Sequence, residues 1–178
     1  MNNKQASFDF STLVNVIQQP HEQMAAQAGR AVNMSLTLRN WMIGAYIDEY
    51  ELRGLDRALY GEKLLVELAN RLKELKISNC NRRQLYRYLR FYRLYPEIVG
   101  TLSPQLRTKP ERLLQQFSYS HLEKIVDLDD SIKRAFYEIV CIRGNWSVRE
   151  LKRQIGSLYF ERTGLSTNKG KLAGIGKT

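Results

Sequence analysis

The chain has 178 residues, enough for one domain or two small helical subdomains with a real core. Its 28 Lys and Arg against 18 Asp and Glu leave a net charge of +10, an excess that draws polyanions, nucleic acid first and acidic membrane surfaces more weakly. Cys80 and Cys141 stand far apart with no C-x-x-C and no histidine pair, so neither a disulfide framework nor a zinc site is readable. No apolar run approaches the ~18 residues of a membrane helix, and the first residues lack the apolar stretch of a secretory signal. The expectation is a cytoplasmic protein with no membrane partner.

Helical periodicity recurs along the chain and strand alternation does not. Phe10, Leu13, Val14 and Ile17 share one face of a short helix expected to end before Pro20. A long helix follows from about 22 to 53, with a stripe of Ala28, Ala31, Met34, Leu38, Trp41, Met42 and Ala45, and Gly54 as its stop. Residues 61–76 repeat the pattern through Leu64, Leu65, Leu68, Leu72 and Leu75. Asn81 caps the next helix with Gln84 three residues later, a capping box in amide form, and Cys80 and Leu85 hold the staple positions. On a wheel Leu85, Tyr88, Leu89 and Tyr92 face one side and Arg83, Arg87 and Arg90 the other.

Beyond Pro96, prolines and small polar residues mark turns, with room for a wing hairpin near 101–117. Helices resume over 118–126 and 129–141, the latter with Ile132, Phe136 and Ile139 as its core stripe. Ser147 and Glu150, flanked by Trp146 and Leu151, announce a last helix through Ile155 and Leu158. Residues 163–178 read as a basic tail or linker, 1–20 as an N-terminal helix and turn, and 21–162 as the domain proper. The fold class is all-α, a compact multi-helix domain with a helix-turn-helix or winged-helix-like unit.

From Asn81 to Tyr95 there are five arginines, Arg82, Arg83, Arg87, Arg90 and Arg93, and no carboxylate. Such a helix cannot neutralise itself by i, i+4 pairs and wants an external anion. The guanidinium fork suits phosphate oxygens and the guanine edge, and Tyr86 adds a phosphate donor or stacking surface. Following the 61–76 helix, it stands where a helix-turn-helix reader places its recognition helix. The structural alternative is a solvated face, or arginines paired with acids elsewhere, such as Glu49, Glu51, Asp129 and Asp130. Enzymatic readings are weaker. Glu74-Leu75-Lys76 matches half of a metal-nuclease motif but lies on a helix, and His21 and His121 have no nucleophile motif near them. His121 is expected to cap or pack at its helix start. The glycines around Lys177 miss the phosphate-loop spacing and have no strand before them, so no cofactor is expected.

A set of stretches then carries a family resemblance: Trp41–Gly44, Tyr60–Lys63, Arg82–Arg87 with Phe91, Tyr92, Tyr95 and Pro96, Phe117–His121, Trp146–Leu151 and Arg153–Tyr159. Over roughly residues 25–165 the chain resembles the N-terminal domain of YhcG-type proteins. The resemblance implies a winged-helix-like DNA-binding domain followed by a PD-(D/E)XK nuclease domain, whose catalytic residues would lie past the end of this chain. It carries Arg82, Arg83, Tyr86, Arg87 and Arg90 over as recognition-helix positions, and Tyr119 stands where the family usually has Trp. No catalysis is then expected of this chain, and its expected partners are double-stranded DNA and a nuclease domain in cis or in trans. The competing expectation is an interaction or dimerisation module, with the long helix pairing two copies and the arginines only solubilising.

Overall fold

The computed structural model describes residues 9–53, 61–97 and 117–163. Every regular element among them is helical: α1 (Phe10–Arg53), α2 (Glu62–Glu74), α3 (Arg82–Leu94), α4 (Tyr119–Val126), α5 (Ser131–Gly144), α6 (Val148–Gly156) and α7 (Tyr159–Arg162). None of them is long and apolar enough to cross a membrane. The all-α expectation therefore holds. The wing near 101–117 falls almost wholly outside the described residues, as does nearly all of the 163–178 tail.

α3 is the axis of the molecule. The C-terminal part of α1 lies along it in the most extensive contact of the structure, and α2 and α4 pack on it as well. Gly44 explains how α1 comes so close. A Cβ there would lie 2.0 Å from the Tyr88 carbonyl oxygen and 2.6 Å from its carbon, so the two backbones touch and no side chain fits between them. One turn earlier Trp41 donates its indole N–H to the Tyr95 carbonyl at 2.8 Å and sets its ring edge-on to Tyr92.

Two cores meet at α3. Leu85, Tyr88 and Leu89 close the first with Ile47, Leu64, Leu65 and Cys80. Phe91 enters the second with Leu122, Ile125, Phe136, Tyr137, Leu151 and Phe160, and Tyr119 packs against both. Each fully buried aliphatic or aromatic side chain of this kind contributes about 1.5–3 kcal/mol. Helix starts follow local chemistry. Asn81 accepts from the Gln84 N–H at 3.0 Å, Asp130 from the N–H groups of Ile132 and Lys133, and Ser147 from the Glu150 N–H at 3.2 Å. Asn145 closes α5 in the left-handed region, φ 45°, and turns the chain into α6.

Several expectations are corrected. α1 does not stop before Pro20 but runs through it as one helix of 44 residues. Proline there removes the bond to the residue-16 carbonyl, yet Val16 and Pro20 are both exposed, which leaves the orphaned oxygen open to solvent. Gln84 does not reach back to its cap; its side chain donates to Glu123. Leu75 and Leu158 are exposed, because Leu75 follows the end of α2 and Leu158 sits at φ 55° between α6 and α7.

Candidate nucleic-acid interface

α3 divides its arginines between two environments. Arg87 is buried at 7% exposure, between α3 and α4. Its Nε donates to Asp127 at 2.9 Å, and its terminal nitrogens pair with Asp127 and Glu123. The Asp127 hydrogen bond outweighs burial and holds its pKa above the ordinary guanidinium range. Arg90 reaches Asp129 at 2.7 Å and the Leu128 carbonyl at 3.0 Å. Arg93 pairs with Asp48 at 2.6 Å and Glu51 at 2.8 Å, both on α1. Burial works against its charge, and those two hydrogen bonds still leave its pKa raised.

The wheel therefore misplaces Arg87, since α4 covers the side of α3 that the pattern assigns to an external anion. Arg87, Arg90 and Arg93 serve as clamps from α3 to α4, to the turn after α4 and to α1. Two of their acids, Glu51 and Asp129, are among those weighed from the sequence, whereas Glu123, Asp127 and Asp48 are not. A signal for them exists: Glu123 and Asp127 stand at i, i+4, and Asp48 and Glu51 at i, i+3, each pair on one helix face.

Arg82, Arg83 and Tyr86 remain outward on the first turns of α3. Arg83 has no ion pair among the described residues, and Tyr86 is 52% exposed. Just before them, the link between α2 and α3 turns at Lys76 and Asn79, both at positive φ. Asn70, Lys73, Ser78, Asn79, Asn81 and Arg82 share the lining of a shallow cleft there with Val66, Ala69, Ile77 and Cys80. Lys73 and Lys76, exposed and basic, extend the surface toward α2; the sequence reading names Lys76 only within the metal-nuclease half-motif and Lys73 not at all.

The chain matches the DUF1016 N-terminal domain over residues 14–162. It belongs to that family. Among curated proteins it is similar to "Putative nuclease YhcG" of Escherichia coli (strain K12), 30% identical over 164 residues. That alignment covers 80% of this chain and 44% of the relative, so the chain spans less than half of that protein's length. No solved structure matches it. The DUF1016 match takes in all of α2 to α7 and most of α1, so the clamps and the outward turn of α3 both lie inside the family domain.

His121 sits beside this frame as a capping residue. Its Nδ1 faces the Ser118 N–H at 3.3 Å and the Ser118 hydroxyl at 2.9 Å, while Nε2 lies 3.0 Å from the Trp146 carbonyl. A carbonyl only accepts, so Nε2 carries the proton and Nδ1 accepts. Burial holds the ring's pKa below its usual value. Among the described residues no three His, Cys, Asp or Glu side chains come together as a metal site. Glu74, the half-motif acid, ends α2 beside Arg71 at 3.6 Å.

Proposed function

We propose that this DUF1016 domain binds duplex DNA through the first turns of α3, with Arg82, Arg83 and Tyr86 as contacts and Lys73 and Lys76 on flanking phosphates. The observation that carries the reading is the exposure of Arg83 and Tyr86 at the α3 N-terminus, on a helix whose last three arginines are consumed by internal carboxylates. Arg83, at the positive end of a helix dipole with no acid in its first turn, opposes the local field by a few tenths of a kcal/mol, and a phosphate there relieves it. The order α2, turn, α3 and the use of the first residues of the second helix fit helix-turn-helix readout. In a longer protein, or with a separate partner, such a module would deliver a nuclease domain to DNA.

The test is fluorescence anisotropy of a labelled random duplex across a salt series. The intact chain is compared with Arg82→Ala/Arg83→Ala and with Arg149→Ala/Lys152→Ala, the latter pair being exposed on α6. The α3 variant should bind more weakly, with a salt slope shallower by about two units, since each lost phosphate contact removes about 0.9. Equal binding by wild type and the α3 variant sinks the assignment. A loss confined to the α6 variant moves the contact to the α5–turn–α6 unit.

A further inference from the structure

Among the described residues, nothing packs on the first half of α1. Every residue from 13 to 36 is exposed, and the first α1 side chains to enter the body are Thr37 and Leu38. At about 1.5 Å per residue, residues 10–36 form an arm roughly 40 Å long. Its composition does not sustain a lone helix in water. Glu22 and Arg30 are its charged residues, and one side-chain pair, Gln18 with Glu22 at 2.6 Å, supports it at i, i+4. Pro20 and Gly29 together cost it about 4 kcal/mol relative to alanine. Burial of an apolar face has to supply what local propensity does not.

That face exists and points away from the domain. At about 100° per residue, Phe10, Leu13, Val14, Ile17, Met24, Ala28, Ala31 and Val32 fall within one band roughly 100° wide. Met42 and Tyr46, exposed in the body, continue the same band. The buried α1 residues Thr37, Asn40, Gly44 and Ile47 project from the opposite side. Among the described residues the domain's own cores therefore leave this band uncovered along the arm, and in the body Arg39 and Tyr46 border an apolar hollow that α1 forms with Leu64, Leu68 and Leu72 of α2.

We infer that a second copy of this chain covers the band, with two α1 helices pairing antiparallel about a two-fold axis at Ala28. The occupant follows from self-complementarity. Such an axis sets Phe10 opposite Tyr46, Val14 opposite Met42, Met24 opposite Val32, and Ala28 against its own counterpart. Each of these pairs lies inside the band, and Ala25, Ala28 and Ala31 let the helices approach closely where they cross. The band carries no acidic residue before Glu49, so two identical faces meet without repulsion between carboxylates. Arg39 also falls inside the band and opposite Ile17, and it is turned to the Ser78 carbonyl and the Cys80 sulfur. A strip about 55 Å long and about 10 Å across, counted on both copies, is on the order of 1,000 Å², the size at which a specific interface becomes credible. Membrane docking would call for lysines or arginines along the polar face, where the arm has glutamines and one arginine. The inference stands independently of the DNA-binding reading.

The test is multi-angle light scattering on the full chain at micromolar concentration, for wild type, Ile17→Glu/Met24→Glu and the off-band control Gln23→Glu. Wild type and the control should run at twice the 20.8 kDa chain mass, and the double variant at the single mass with its body still folded by near-ultraviolet circular dichroism. Ala28→Cys should cross-link to itself through a short bismaleimide, with Phe10→Cys joining Tyr46→Cys and not itself. A monomeric wild type, including one that binds vesicles instead, overturns the proposal. So does a dimer that survives the double variant, and self-linking of Phe10→Cys overturns the antiparallel arrangement.

Discussion

In the first turn of α3, Arg82 and Arg83 lie in solvent; in the next three turns Arg87, Arg90 and Arg93 close onto carboxylates of α4, the turn after it and α1. The residue type is the same and the helix is the same. The difference is what packs alongside. α1 and α4 flank the later turns and bring acids within reach, whereas among the described residues the first turn borders the link from α2. A basic helix in a basic protein is thus no measure of its free charge: the clamp arginines Arg87, Arg90 and Arg93 are spent inside the fold, and Arg83 is exposed.

The largest effect that would break this comparison is on stability. Arg87→Ala leaves Glu123 and Asp127 facing each other without their cation, and removal of one partner from a buried pair typically costs about 3–5 kcal/mol. Asp127 is 41% exposed at its side chain, so water compensates in part and about 3 kcal/mol is expected. Arg83→Ala, four residues away, should change stability by less than about 0.5 kcal/mol. Urea denaturation followed by circular dichroism compares them directly. Equal midpoints would mean that the buried clamp holds nothing, and the division of α3 would lose its basis.

Arg93→Ala should fall between the two. Arg93 itself is half exposed, but the side chains of Asp48 and Glu51 are 16% and 9% exposed, so two mostly covered carboxylates lose their cation at once. A cost of about 1–2 kcal/mol is expected, reduced by raised salt because the arginine faces water. The salt dependence sharpens the comparison, since the Arg87 cost should barely respond. An Arg93→Ala midpoint equal to that of Arg83→Ala would place Arg93 with the outward group.

How much of this was legible follows from the range of each signal. The starts of α3 and α6 are written in neighbouring residues, Asn81 with Gln84 and Ser147 with Glu150, and both caps form. The fate of Arg87 is not local, because its acids lie 36 and 40 residues downstream. A helical wheel separates two faces, and α3 is covered on more than two. The α1 stripe is legible from its spacing, yet spacing does not say what covers a face. Met42 ended up outside, while Thr37, Asn40 and Gly44, polar or small, were buried against α3. Pro20 reads as a stop because proline costs a helix a hydrogen bond, a cost that solvent reduces where the stretch is exposed.

The smallest effect concerns His121, a clamp that uses a neutral ring where α3 uses cations. It ties the cap of α4 to the turn before α6 through Ser118 and the Trp146 carbonyl. The folded state holds the ring neutral, with its pKa below the ordinary value because of burial. In the unfolded chain the ring takes a proton near about pH 6.5. The neutral-ring contribution is therefore complete above that pH and is lost as pH falls through the window between the unfolded and folded values, where the unfolded state binds the extra proton. His121→Gln keeps an acceptor for the cap, in the manner of an ordinary capping box, and removes the titration. At about pH 8 it should cost about 1 kcal/mol or less, the scale of a weakened cap. The gap between wild type and variant should narrow below about pH 6.5, since only the wild type pays for protonation there. Denaturation midpoints across that range decide it. A gap constant with pH would mean that the ring is not held neutral, and the bond from Nε2 to the Trp146 carbonyl would then be no sensor of acid but an ordinary tie that either protonation state can make.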